Sequence, residues 1–182
     1  MDADDEAHQL SGTNHPVDIV ELRDHDPSWR EKFLREREHL TSTLGADALR
    51  IDHVGSTAVP GLRAKPIIDI MVSVERLELD FFAGRLSTLD YVYVPIDAED
   101  RLFFRKGMPR TYHLHLVLDG SEEFRKHILF RDRLIANPEE AEEYAALKEG
   151  LAQRFRDDRE AYTKGKEAFI MGILIRDPSR RD

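Results

Sequence analysis

The most regular hydrophobic pattern in the chain runs from Ile67 to Val74, where Ile68, Ile70, Val72 and Val74 alternate with Asp69, Met71 and Ser73. Successive strand side chains point to opposite faces, so this pattern predicts a buried strand with one apolar face and one face bearing a carboxylate. Leu49 to Val54 predicts a shorter strand before it, with Leu49 and Ile51 on one side. A third alternation sets Tyr112, Leu114, Leu116 and Leu118 against His113, His115 and Val117. Tyr91 to Val94 and Leu102 to Arg105 predict two more strands. Gly107-Met108-Pro109-Arg110 has turn composition, so the latter strand is expected to pair as a hairpin with Tyr112 to Leu118.

Elsewhere the apolar spacing switches to three and four. Trp29, Phe33, Leu40 and Leu44 predict a helix opened by Asp26-Pro27 and stopped by Gly45. Leu79, Phe82, Leu86 and Leu89 predict a second, and Phe124, Ile128 and Leu134 a third. Asn137-Pro138-Glu139-Glu140 opens a fourth, with Asn137 as its cap, continued by Ala141, Tyr144, Ala145, Leu151 and Phe155. Tyr162, Phe169, Ile170 and Ile173 predict one final helix. Together these elements predict an α/β fold: a mixed, twisted sheet flanked by helices, with a helical C-terminal region.

Length and charge then narrow the picture. The 182 residues suit one domain over 17–176, with a disordered acidic leader over 1–16 and a flexible tail over 177–182. A net charge of −9 argues against general nucleic-acid binding, but leaves room for a small phosphorylated ligand held by a local basic cluster. The absence of cysteine excludes disulfides, thiolate metal sites and cysteine nucleophiles. No apolar run reaches membrane-spanning length and the N-terminus lacks a signal-peptide pattern, so a soluble, cytoplasmic protein with no membrane partner is expected.

An unpaired carboxylate inside a buried strand is costly, which makes Asp69 the anomaly to explain. Around it, His53-Val54-Gly55-Ser56-Thr57, Val59-Pro60-Gly61 and Ala64-Lys65-Pro66-Ile67-Ile68-Asp69-Ile70 resemble the GrpB family, as does Tyr112-His113-Leu114-His115-Leu116. Gly55-Ser56 followed by a strand acid resembles the opening of the wider nucleotidyltransferase superfamily. The similarity extends from about Val17 to about Ile175. It implies a nucleotidyltransferase-like core and a nucleotide or other phosphorylated small molecule as ligand. It also implies that Gly55, Ser56 and Thr57 hold phosphate, and that Asp69 is the first acid of a two-acid metal motif. Met71 stands in the second acid's place.

His113 and His115 fall where the superfamily's third acid is expected, and share one strand face. With Asp69 they make a candidate catalytic and metal-binding set for a divalent ion, magnesium in the superfamily's chemistry, with manganese or zinc better suited to two imidazoles and one carboxylate. A histidine there also suits a general base or phosphate contact. Lys65 and Arg63 are candidate phosphate cations or solvated loop charges. Arg101, Arg105, Lys106 and Arg110 form either a clamp for an anionic substrate or a solvated hairpin face. His53 is either a buried, satisfied histidine or part of the site. Tyr162, Lys164 and Lys166 either close over the site or cover the sheet.

Two functions follow. One is a metal-dependent enzyme acting on a nucleotide or phosphorylated small molecule, by nucleotidyl transfer or phosphate hydrolysis. The other is a binding module that kept the pocket and lost the second acid. Members of the resembling family fused to a kinase of coenzyme A synthesis hint at a metabolite-linked role.

Overall fold

The computed structural model describes residues 19–176. The expected leader and tail lie outside the described residues. Five strands form one sheet: β1 (Arg50–Val54), β2 (Ile68–Val74), β3 (Val92–Val94), β4 (Arg101–Lys106) and β5 (Tyr112–Leu118), in the order β1-β2-β5-β4-β3. β2 and β5 pair in parallel at the centre and every other pairing is antiparallel, including the expected β4–β5 hairpin. The mixed sheet and its flanking helices bear out the α/β reading.

The two faces of the sheet differ in character because the strands alternate. On the first, Ile68, Ile70, Val72 and Val74 of β2 meet Leu114 and Leu116 of β5 and Phe104 of β4. Helices α1 (Ser28–Leu44) and α2 (Leu79–Leu86) cover this face with Trp29, Phe33, Leu40, Leu44, Phe82 and Leu86. Truncating one such side chain, as in Ile70→Ala, removes buried methyl groups and leaves a cavity, at a cost of about 2–5 kcal/mol. Asp26 opens α1 as expected: its Oδ1 accepts the Ser28 N–H at 2.8 Å, and that contact holds the carboxyl below its usual range.

The second face carries Asp69, Met71 and Ser73 of β2 beside His113, His115 and Val117 of β5. Val54, Met71, Val117 and Phe124 form a small apolar floor there under α3 (Glu122–Ala136). α4 (Pro138–Arg154), α5 (Arg159–Lys164) and α6 (Glu167–Ile175) complete the C-terminal region. Leu134 of α3, Tyr144 of α4 and Ile173 of α6 close on Val59 and Leu62 of the loop between β1 and β2. An isolated bridge from Arg23 to Ala64 ties down the same loop.

Three local expectations are corrected. The final helix is two helices, α5 and α6, broken at Gly165, which packs directly against the Leu151 side chain of α4. Asn137 does not cap α4. Its Nδ2 donates to the Arg133 carbonyl at 2.8 Å and so closes the end of α3. Glu140, at the third helical position, does not reach back to the Asn137 N–H, which donates to the Arg133 carbonyl, and is taken by Arg133 in a two-point pair at 2.6 and 3.0 Å. The strong, planar guanidinium–carboxylate contact outcompetes the weaker cap.

Candidate ligand-binding cleft

The second face of the sheet opens into a cleft of about 710 Å³ roofed by α3, α5 and α6. Its centre is set by strand register. Asp69 and His113 are direct partners across the parallel β2–β5 pair, so their side chains project together. His113 Nδ1 lies 2.9 Å from Asp69 Oδ1, and His113 Nε2 lies 3.2 Å from Arg159 Nη2 at the start of α5. A guanidinium can only donate. Nε2 therefore accepts from Arg159, the ring proton sits on Nδ1, and Nδ1 donates to Asp69. Burial works against ionisation of Asp69, but the His113 hydrogen bond and charge interactions with His113, His115 and Lys65 outweigh it and hold the carboxyl at about 2.

Gly55 presses on the same carboxylate. Its backbone has φ 70° and ψ −171°, a region essentially reserved for glycine, and a Cβ there would overlap Asp69 Oδ2. A glycine–serine pair such as Gly55-Ser56 offers a phosphate most where a strand runs into a helix N-terminus. The structure has instead one 3-10 turn, Ser56–Ala58, so no helix dipole is aimed at a phosphate here. Gly55, Ser56 and Thr57 nevertheless line the cleft. Tyr144 of α4 lines the cleft beside Ser56. Thr57 is buried and its hydroxyl bridges His53 Nε2 at 2.9 Å and the Ile67 carbonyl at 3.3 Å. Thr57 thus braces the turn, in place of the expected phosphate contact.

Three cations surround the Asp69–His113 pair. Lys65 and Lys166 both lie over the Tyr162 ring, with Nζ 5.1 and 4.8 Å from its centroid, and Arg159 caps the imidazole. Burial lowers the Lys166 pKa, with Arg159 adding to the effect and Asp69 opposing it. Tyr162 is itself buried and raised to about 12. Of the last-helix residues singled out by sequence, Tyr162 and Lys166 line the cleft, while Lys164 is exposed.

His115 shares the face but does not join the pair. It stacks on Phe103 at 4.8 Å, lies 6.0 Å from the His127 ring, and leaves a buried Nδ1 with no hydrogen-bond partner. Burial, with His127 and Arg101 adding to it, pushes its pKa well down. The proposed metal set of Asp69, His113 and His115 is therefore not assembled: among the described residues no group of three or more His, Asp or Glu is placed to hold a metal ion. Asp69 is engaged by an imidazole N–H, and the second acid's position is filled by buried Met71. This donor set does not fit magnesium, which favours oxygen ligands and carboxylate charge.

The remaining candidates divide. Arg101 and Arg110 line the cleft, Arg101 paired with Glu123 at 2.6 Å. Lys106 belongs to the opposite face, where it binds buried Glu36 at 2.8 and 3.0 Å under Tyr91 and Tyr112. Alternation along β4 makes it unable to share a ligand with Arg101. Arg63 is held outside by Asp24 and Glu149 at 2.8 and 2.6 Å. His53 is a satisfied, half-buried histidine: it stacks on Phe33 at 4.8 Å, and burial, with Arg131 and Arg30 adding to it, pushes it down to about 4. Sequence reasoning missed Arg159, Tyr144, Phe103 and His127. Arg159 follows the α5 cap Asp158, whose side chain accepts the Ala161 N–H, and in sequence it resembles any first-turn surface charge.

Comparison with known proteins agrees with this architecture. The sequence matches the model of the family described as GrpB protein over residues 19–176. A UPF0157 protein of Pseudomonas aeruginosa is 39% identical over 176 residues, covering 90% of this chain and 70% of that protein. A protein of Mycolicibacterium paratuberculosis named dephospho-CoA kinase is 31% identical over 90% of this chain, which spans 47% of its length. The crystal structure of GrpB from Enterococcus faecalis superposes with a TM-score of 0.78 at 37% identity, covering 84% of this chain and 94% of that one. The GLD-2/RNP-8 complex matches the fold at TM-score 0.52 and 16% identity, over 80% of this chain and 59% of that one. With the family model matched across all the described residues, the chain belongs to the GrpB family.

Proposed function

We propose that this protein binds a phosphorylated small molecule, a nucleotide in the first instance, by its phosphate groups and without a divalent ion. The observation that carries this reading is the convergence of Lys65, Arg159 and Lys166 on the Asp69–His113 pair. Six cationic side chains line the cleft against three carboxylates, Asp69, Glu123 and Glu167, so its lining is positive in a protein whose net charge is −9. In a partly enclosed site these charges attract an anion far more strongly than they would in open water. Dephospho-CoA, the ligand in the kinase relative's name, and ADP both carry the expected chemistry.

Calorimetric titration with ADP, ATP and dephospho-CoA, each in EDTA and again with magnesium or manganese, tests the reading. Binding in EDTA, weakened about tenfold or more in Lys166→Met (some 1.4 kcal/mol), is the expected result. Binding that appears only with a divalent ion returns the site to metal-dependent chemistry. Silence with every ligand removes the phosphate reading.

A further inference from the structure

Asp69, His113 and Arg159 do more than mark the floor of a cationic cleft. A carboxylate on one imidazole nitrogen fixes the ring and its tautomer, and leaves the other nitrogen with its lone pair outward. Here Asp69 holds Nδ1 at 2.9 Å and the lone pair on Nε2 faces the cleft, capped by Arg159 at 3.2 Å. The cap is a guanidinium, the side chain best shaped to pair with a phosphate. An anion entering between Lys65 and Lys166 competes with a neutral imidazole nitrogen for the one Arg159 N–H that caps it, and a charged acceptor wins that hydrogen bond. The guanidinium then leaves Nε2, and the base is uncovered beside the bound phosphate.

We propose that His113 is a general base for metal-independent hydrolysis of a phosphoanhydride, uncovered when the ligand draws Arg159 away. The inference rests on the phosphate reading of the cleft and adds a reaction to it. Water attacks the terminal phosphorus and a new P–O bond forms. The water proton passes to His113 Nε2, and the bridging P–O bond breaks with its electron pair leaving on the departing phosphate. That leaving group departs as an anion, stabilised by Lys65 and Lys166, and requires no proton in the step. His113 returns its proton to solvent. The cations take the role of charge neutralisation that a divalent ion would fill, which accounts for a site with Met71 in the second acid's place.

The test combines turnover, binding and one spectroscopic measurement on the intact protein. Phosphate release from ATP, ADP and pyrophosphate is followed in EDTA for the wild type and for His113→Asn, whose amide retains an N–H for Asp69 but no basic nitrogen. ADP affinity is measured for both. Release in EDTA is expected from the wild type and should fall by about 10²–10⁴-fold in His113→Asn, the range of a lost general base, with ADP affinity changed less than threefold. In parallel, the nitrogen NMR signal of His113 Nε2 should shift on saturation with inorganic phosphate as Arg159 departs, while Nδ1 stays bonded to Asp69. No release from any of the three compounds in EDTA, release that needs an added metal, or an unchanged rate in His113→Asn overturns the proposal. If His113→Asn does not fold, an Nε2 signal unmoved by phosphate overturns it alone. ADP binding without turnover rejects the base and keeps the binding site; absence of ADP binding rejects both.

Discussion

The Asp69 carboxylate occupies the space that a side chain at Gly55 would need. Gly55→Ala forces a Cβ into a glycine-only backbone region and against Asp69 Oδ2. A loss of about 1–3 kcal/mol is expected from the backbone alone, read as a lowered urea midpoint at constant m-value. Asp69 has its own signature in acid. Its folded pKa of about 2 lies below the ordinary value of 3.8, so the folded state favours the ionised form. The stability it contributes, on the order of 2 kcal/mol, is fully present above the ordinary pKa and is lost as pH falls from 4 towards 2. Asp69→Asn should flatten the stability profile across that window. An unchanged acid limb would show that Asp69 is not held ionised by His113.

Which face an element presents decides what its charged residues do. Lys106 and Arg101 lie on one strand, yet only Arg101 reaches the cleft. Lys106→Met strands the buried Glu36 carboxylate and should destabilise by about 3–5 kcal/mol, leaving the affinity of the folded protein for ADP unchanged. Weakened ADP binding in folded Lys106→Met would contradict the face assignment. On α4, Lys148 is buried at 1% exposure and donates from Nζ to the Arg63 carbonyl, tying the helix to the loop that carries Lys65. Burial pushes it down to about 7, with Lys166 adding to the effect and Glu149 opposing it. Between pH 7 and 10.5 the unfolded chain holds a proton here that the folded chain has released. Lys148 therefore makes stability rise with pH through that window, and the cost of burying its charge is fully present once pH has fallen below 7. Equilibrium unfolding from pH 7 to 9.5 should show this rise in the wild type and a flatter profile in Lys148→Met.

For the molecule as a whole, a net charge of −9 surrounds a cleft of the opposite sign. Free anions are repelled at long range and attracted near the site, so the two effects respond differently to salt. Exposed charges are screened beyond about 10 Å at 0.1 M ionic strength, while the short contacts to Lys65, Arg159 and Lys166 persist. ADP association should therefore speed up as salt rises from low to moderate, in stopped-flow measurements, before affinity declines at high salt. A monotonic fall from the lowest salt would mean that the cleft's local field governs approach from the outset. Among the described residues no helix is long and apolar enough to cross a membrane.

Much of this was legible in the chain because its signals are local. The alternation of Ile68 to Val74 and of Tyr112 to Leu118 specified two strands and their faces. One carboxylate and two histidines on polar faces marked the side of the sheet where the cleft lies. The motif around Gly55-Ser56 and Asp69 was sufficient to place the family. Other features depended on residues far apart in sequence. Register brought Asp69 onto His113 and set His115 one pleat away against Phe103, which separated a hydrogen-bonded pair from the expected metal triad. The return of α5 over the sheet supplied Arg159, 46 residues from the imidazole it caps, and a pattern of period 2 or 3.6 carries no information about such a meeting. Periodicity reports which face a side chain occupies, because that follows from backbone geometry alone. Which partner it meets on that face is decided by how distant elements pack, and here that packing turned a strand acid and a histidine into a hydrogen-bonded pair in a cleft.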